Sequence, residues 1–339
     1  MWEEGKVRIK DIAEELGVST ATVSNVLHGK TQKISEATVK AVERRLEERG
    51  YIPNMAATLL ARNNSRIIGV VVNDHPKYEG HALEDSFISA ALNRLTDEIE
   101  RRGYFMMLKK AKKITEIVRF ASMWNMDGVV ITGFCEDEYQ DLRDKIRVPF
   151  VVYDGFPDRQ NRFGNISIDD FDGGRQVGAY FKRLGHRRVL CVADNKICMD
   201  LLRYQGLCEG LGFRADFWRI PMQAAARRGF YADRLELLKG YTAVFAASDF
   251  YALELMRFLQ TSGMRVPEDI SVAGFDGSRD AAEAVPRLTT VRQDAALRAT
   301  AALDLLLDMV GGGSGGKTVC IPVALQIADS TTENNNTTL

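Results

Sequence analysis

From Arg66 onward the chain repeats one pattern: a short apolar run, rich in β-branched residues, then a longer amphipathic stretch. The runs are IIGVVV (67–72), FMML (105–108), GVVIT (128–132), PFVVY (149–153), ISI (166–168), RVLCVA (188–193), AVFAAS (243–248) and ISVAGF (270–275). A strand that is apolar on both faces must be covered on both. The alternation therefore calls for parallel sheets sandwiched by helices, a doubly wound α/β architecture. The runs fall into two sets, roughly 66–165 and 166–290. Beyond them, TTVRQD (289–294) and VCIPVALQI (319–327) read as late strands flanking a helix at 295–310. The expected lobes are then about 66–165 plus 292–319, and about 166–290 plus 320–331. At 339 residues the chain is long enough for two or three domains, and its opening must form another one.

That opening is helical. Ile9, Ile12, Ala13 and Leu16 recur at helical spacing, and Gly17 stops the run. Ser19 is placed to cap a second helix with Val23, Val26 and Leu27 inward, and Ser35 caps a third with Val39, Val42 and Leu46 inward. Ala13 is small enough for two helices to cross closely, Gly17 makes the turn, and Val18 plugs it. This is helix-turn-helix spacing, which presents the second helix to the DNA major groove. The residues left facing out are Thr20, Ala21, Thr22, Ser24, Asn25 and His28. Asn25 suits the edge of an adenine, and Thr20 or Ala21 a thymine methyl. A helical hairpin serving protein contacts is the alternative. We assign residues 1–50 to this domain, 51–65 to a short helix and linker, and 332–339 to a polar tail.

Charge does not decide the matter. The formal net charge is -1, which excludes a polybasic coat and confines nucleic-acid contact to a local surface. Residues 1–66 hold eleven basic side chains against nine acidic ones. Lys6, Arg8 and Lys10 precede the first helix, and Lys30 and Lys33 flank the loop after the second, in reach of phosphates or simply solvated. No apolar run is long enough for a membrane span, and the N-terminus lacks a signal peptide's apolar core. Five cysteines without a CxxC pair read as free thiols in a reducing cytoplasm.

Six apolar runs end in or just before an aspartate: Asp74, Asp154, Asp169, Asp194, Asp249 and Asp276. Open α/β sheets bind ligands beyond the carboxyl ends of their strands, and two facing lobes bring those ends to one cleft. Ionised carboxylates only accept hydrogen bonds, so they suit a neutral, hydroxyl-rich ligand better than an anion. Arg203 can add a planar donor fork, and Phe87, Tyr153, Phe250 and Phe275 can cover an apolar sugar face. Capping of the following helices is the competing use of these aspartates.

The runs VRIKDIAEELGVSTATVSNVLHGK and GYIPNMAATLLAR closely resemble the headpiece of the lactose/galactose repressor (LacI/GalR) family of transcriptional regulators. SIDDFDGG, LGHRRV, RYQG, FAASD, VPEDISVAGFD and LTTVRQD extend the resemblance along nearly the whole chain. It implies a small all-α helix-turn-helix headpiece plus a two-lobed α/β domain with parallel sheets, like a periplasmic binding protein. It also implies a homodimer on an inverted-repeat operator, paired through first-lobe helices such as 83–102, and a carbohydrate effector. In the family, the segment matching Asn54–Arg62 is a hinge helix ordered on DNA, and Leu60, supported by Ala57, stands at the leucine wedged into the minor groove. Docking of Leu59 and Leu60 on the core is the alternative. Matched residue by residue, Arg203, Asp249 and Asp276 fall on effector-contacting positions, Phe87 on a pocket-lining one, and Asp154 on a strand end that some members use. Ser248 replaces a usual asparagine, Gly277 a frequent acidic residue and Ala328 an arginine, which leaves the ligand's identity open.

Two other signals lead nowhere. GGGSGGKT (311–318) spells a phosphate-binding loop, but a helix precedes it and a strand follows, the reverse of the order that chemistry needs. His75 and His81 among Asp74, Glu79, Glu84 and Asp85 fit no standard metal spacing. No catalytic dyad or triad, metal site or cofactor is expected. The segment STTENNNTT near the C-terminus reads as disordered, with no leucine heptad for tetramer formation. A solute-binding protein or a sugar-acting enzyme on the same two-lobed fold is the competing function.

Overall fold

The computed structural model describes residues 7–27, 29–51, 65–134, 142–153, 163–314 and 316–334. The chain divides into two compact units, Met1–Ser65 and Arg66–Leu339.

The first unit holds α1 (Ile9–Leu16), α2 (Thr20–Leu27) and α3 (Glu36–Glu48). Gly17 ends α1 at φ 65°, a left-handed conformation that a side chain would strain. The turn closes as the Val18 N–H donates to the Ala13 carbonyl at 3.0 Å. Ser19 Oγ then accepts from the Thr22 N–H at 3.0 Å, and Ser35 Oγ from the Thr38 N–H at 3.2 Å, so both caps act as their sequence positions require. Ile12, Ala13, Val23, Val26 and Val42 form the core, with Leu27, Val39 and Leu46 partly buried around it.

The second unit has two lobes. The first runs β1 (Ile67–Asn73), α4 (Ser86–Arg101), β2 (Phe105–Ala111), α5 (Ile114–Met123), β3 (Gly128–Thr132), β4 (Phe150–Tyr153) and β5 (Gly164–Ile168). The second begins with α6 (Asp170–Arg183), β6 (Val189–Ala193), α7 (Cys198–Leu211), β7 (Asp216–Arg219), α8 (Ala224–Ala232) and α9 (Leu235–Leu238). It continues with β8 (Ala243–Ala246), α10 (Asp249–Thr261), β9 (Ser271–Asp276), α11 (Arg279–Glu283) and β10 (Thr289–Arg292). The chain then returns through α12 (Ala295–Val310), β11 (Thr318–Ile321) and β12 (Ala324–Gln326).

The two six-stranded sheets are ordered β11-β5-β4-β3-β1-β2 and β12-β10-β9-β8-β6-β7. Every pairing is parallel except β10 with β12. The interior strands are buried almost throughout, as their continuous apolar runs require.

Three local expectations need correction. Ile166–Ile168, placed above at the start of the second lobe, belongs to β5 and pairs with β4 and β11, so the crossover falls after Ile168. VCIPVALQI is two strands in different sheets, broken at Pro322, which has no N–H for a ladder. In the C-terminal segment read as disordered, residues 330–334 are tied to the second lobe, and residues 335–339 lie outside the described residues. Ser330 is fully buried, its hydroxyl donating to the Val272 carbonyl at 2.6 Å and accepting from the Thr289 N–H at 2.8 Å. Asn334 N–H donates to the Leu184 carbonyl at 2.8 Å. Short polar side chains read as disorder when they are in fact bonding to backbone.

One packing feature fixes the cleft. Helices α6 and α7 cross with backbone against backbone at two glycine pairs, Gly174 and Gly178 on one and Gly206 and Gly210 on the other. A methyl group at Gly174 would overlap the Arg203 carbonyl, and one at Gly206 the Phe171 carbonyl. This contact sets the base of the Arg203 side chain beside the first turn of α6.

Candidate DNA-binding surface and effector cleft

On α2, Thr20, Ala21 and Asn25 are exposed, and so is Lys30 just beyond it. They form a short, hydrogen-bonding surface with no apolar patch. Thr22 and Ser24 are half-buried, and Thr22 Oγ1 pairs with Ser19 Oγ at 2.9 Å, so Thr22 also serves the cap. The expected positions His28, Asn54, Ala57 and Leu60 lie outside the described residues.

In the second unit, the carboxyl ends of β1, β3, β6, β8 and β9 meet around a cavity of about 430 Å³ between the lobes. Phe87, Arg203, Ser248 and Asp276 line it, as do Asp74 and Asp194. Arg203 is the anchor. Its guanidinium donates from Nε to Asp170 Oδ1 at 2.7 Å and from Nη1 to the Ala247 carbonyl at 2.6 Å, and it lies 3.7 Å above the Phe275 ring. Asp276 Oδ1 stands 4.0 Å from Nη1. A buried guanidinium held by a carboxylate, a carbonyl and an aromatic face is a rigid donor.

Asp276 ends β9 at φ 133°, unusual for a residue with a side chain, and takes a hydrogen bond from Gln293 Nε2 at 2.9 Å. Burial pushes its carboxyl well above the usual range, and the Arg203 charge opposes that shift. Asp194 accepts from the Tyr251 hydroxyl at 2.7 Å and from Asn195 Nδ2 at 2.6 Å. Asp74 sits 3.6 Å from both Lys110 Nζ and Lys112 Nζ.

Other expected residues take different places. Asp249 is buried with both oxygens engaged, by Thr290 Oγ1 at 2.5 Å and the Ser278 N–H at 2.8 Å. It lines an adjoining cavity of about 320 Å³ that shares Phe87 and Asp276 with the first. Ser248 Oγ caps α10. Phe275 is fully buried beneath Arg203 and is not part of the cavity wall, so it supports the donor rather than covering a ligand face. Tyr153 is likewise buried, under the Arg298 guanidinium. Asp169 caps α6, accepting from the Asp172 N–H at 2.8 Å. Asp154 lies outside the described residues.

Several cavity residues escaped the sequence reading. Asp200 stands one helical turn before Arg203, and its carboxyl is raised to about 7 by burial, against the pull of Arg203. Its spacing from Arg203 was the available signal. Tyr251, two residues after Asp249, was flagged by nothing local. Lys77 and Tyr78 reach the cavity from the loop after β1, as does His75. Burial works against the Lys77 charge, but Tyr78, Tyr251 and Asp194 outweigh it and raise its pKa. Among the described residues, no group of three or more His, Cys, Asp or Glu side chains is arranged to hold a metal.

A two-lobed cleft of this kind, on a chain that opens with a helix-turn-helix, defines a ligand-responsive DNA-binding regulator. A family model for bacterial regulatory proteins, lacI family, matches residues 8–54, and one for a periplasmic binding protein-like domain matches residues 179–331. The transcriptional regulator CelR of Thermobifida fusca is 30% identical over 315 residues, covering 89% of this chain and 91% of its own length. The transcriptional repressor PurR of Vibrio atlanticus is 29% identical over 322 residues with the same coverage. The lac repressor dimer bound to operator and the anti-inducer ONPF superposes with a TM-score of 0.82 at 26% identity, covering 96% of this chain and 99% of that one. A CelR–cellobiose complex gives a TM-score of 0.69 at 25% identity, covering 96% and 100%. The chain belongs to the lacI family of bacterial transcriptional regulators. It is a DNA-binding regulator with an effector-binding domain, not an enzyme.

Proposed function

We propose that this protein is a cytoplasmic repressor that binds an inverted-repeat operator as a homodimer and releases or grips it according to a saccharide in the inter-lobe cleft. The observation that carries this reading is the cleft's composition. Carboxyl groups at strand ends stand around one immobilised guanidinium, with Lys77 and Lys112 also on the wall, an interleaving of donors and acceptors that a ligand rich in hydroxyl groups satisfies. Arg203 and Asp276 grip the ligand, with Asp194 accepting a further hydroxyl, Asp200 hydrogen-bonding another and Phe87 covering one face. Ser248 stands at the cleft's edge, while Asp249 holds the neighbouring strands in place. Asp154 joins the first-lobe side.

The structures similar to this chain include a CelR–cellobiose complex and a lac repressor dimer on its operator, which favour a saccharide and a dimer here. A purine-type effector is the second reading, favoured by the similarity to PurR. On DNA, Thr20, Ala21, Asn25 and His28 read base edges, Thr22, Ser24 and Lys30 meet the backbone, and Asn54, Ala57 and Leu60 form the hinge. Among the described residues no helix is long and apolar enough to cross a membrane.

The test is selection of random duplex DNA on the full-length protein, repeated with a panel of saccharides and purines. The expected result is an enriched inverted repeat whose retention changes with one saccharide. Leu60→Ala should weaken retention without changing that sugar's affinity. No enrichment under any condition would overturn the reading, and a response to purines alone would replace the saccharide with the second class.

A further inference from the structure

The loop after β1 carries three consecutive residues that touch the other lobe. Tyr78 packs edge-on against Phe250, with ring centroids 5.6 Å apart. Glu79 Oε1 accepts the Ala224 N–H, at the start of α8, at 3.3 Å. Lys77 Nζ lies 4.8 Å from the Tyr78 ring centroid, 5.5 Å from that of Tyr251 and 5.8 Å from that of Phe250. All three distances are within the range where an ammonium is attracted to a ring face.

The receiving side is built rather than incidental. Tyr251 is fixed by its 2.7 Å hydrogen bond to Asp194. Phe250 and Tyr251 are backed by Arg227, whose guanidinium carbon is 5.5 and 4.9 Å from their centroids. Arg227 is itself fully buried and donates to Glu254 Oε2 at 2.6 Å and to the Pro221 carbonyl at 2.9 Å. The loop is held in turn by Lys110 Nζ, which donates to the Gly80 carbonyl at 2.5 Å.

We propose that Tyr78, Phe250 and Tyr251, the last held by Asp194, form an ammonium site spanning the two lobes, and that Lys77 fills it as an internal clasp holding the cleft shut. Two of the rings belong to the second lobe and the cation to the first, so separating the lobes takes Phe250 and Tyr251 away from the ammonium and leaves it only Tyr78. A ligand carrying a primary ammonium competes with Lys77 for this site, whereas a neutral saccharide binds beside it. The inference does not depend on which effector the cleft senses.

The Ala224 amide reports the clasp directly, because its acceptor lies on the opposite lobe. In full-length Lys77→Ala protein, hydrogen–deuterium exchange of that amide and of residues 77–80 should quicken about three- to ten-fold. Titration with n-butylammonium chloride should slow it again, saturably, while leaving the wild type unchanged. Lys77→Met, which keeps the stem and drops the charge, should also exchange faster. Phe250→Leu should do the same with Lys77 intact. Wild-type exchange in Lys77→Met would overturn the proposal, because the ammonium would then contribute nothing. Equal restoration of Lys77→Ala by n-butanol would overturn it as well, by making the site an apolar slot.

Discussion

The first and second lobes carry six strands in the same order, edge to edge, yet they load the cleft with different chemistry. At matching strand ends, β1 leads into Asp74, which lies beside two lysines, while β6 leads into Asp194, which a tyrosine and an asparagine hold. The second lobe supplies Arg203, Asp200 and Asp276 from helices and strands locked by the glycine crossing. The first supplies Lys77, Tyr78 and Phe87 from a loop and the helix start that follows it. A duplicated scaffold has been given a fixed half and an adjustable half. Function here lives in what is grafted on strand ends, not in the sheets.

The difference predicts unequal tolerance to substitution. Arg203→Met should have the largest effect, about 3 kcal/mol or more lost in a urea titration, because it leaves buried Asp170 and Asp276 without their cation. A loss under about 1 kcal/mol would mean the second lobe is not organised around this side chain.

Gly206→Ala comes next, at about 2–3 kcal/mol by the same measurement, since the new methyl meets the Phe171 carbonyl and backbone must move. The first lobe offers the contrast. The atoms nearest a methyl at Gly128 belong to the side chain of Leu306 rather than to backbone, so Gly128→Ala should cost about 1 kcal/mol. Equal losses at Gly206 and Gly128 would erase the claimed distinction between the lobes.

A smaller effect concerns pH. The Asp200 carboxyl is raised from 3.8 to about 7 in the folded protein, so the folded state holds a proton that the unfolded state releases. Stability from this group is therefore lost as pH rises from about 4 to about 7 and is level above that. Asp200→Asn should become progressively more stable than the wild type across that window, as followed by thermal melting at a series of pH values. Parallel pH profiles for the two proteins would remove Asp200 from the second lobe's buried charge.

Legibility in the sequence followed the range of the forces involved. The headpiece turned on Gly17, Ser19 and Ser35, whose partners lie within five residues, and each acts as read. The sheets were visible because continuous apolar runs admit few other uses. Asp276 was legible as an aspartate at a strand end and Arg203 as a planar donor, family likeness then matched both to effector positions, and the structure brings both to the cavity wall. Lys77 was missed because its partners, Phe250 and Tyr251, lie more than 170 residues away in the chain. Phe275 was misplaced for a related reason. Its strand position is right, but only the α6–α7 crossing decides that Arg203 lies over its ring. Ser330 escaped because its acceptor, Val272, comes from a strand far earlier in the chain.

The central claim is that occupancy of the cleft governs the grip of the headpiece on DNA, and couplings of that kind amount to about 1–3 kcal/mol. The most direct measurement is operator affinity with and without the effector, for the wild type and for Asp276→Asn, using the operator and saccharide found by selection. The account predicts that Asp276→Asn binds the operator as the wild type does but no longer shifts when the saccharide is added. If Asp276→Asn responds to the saccharide as fully as the wild type, the cleft described here is not the site that controls DNA binding.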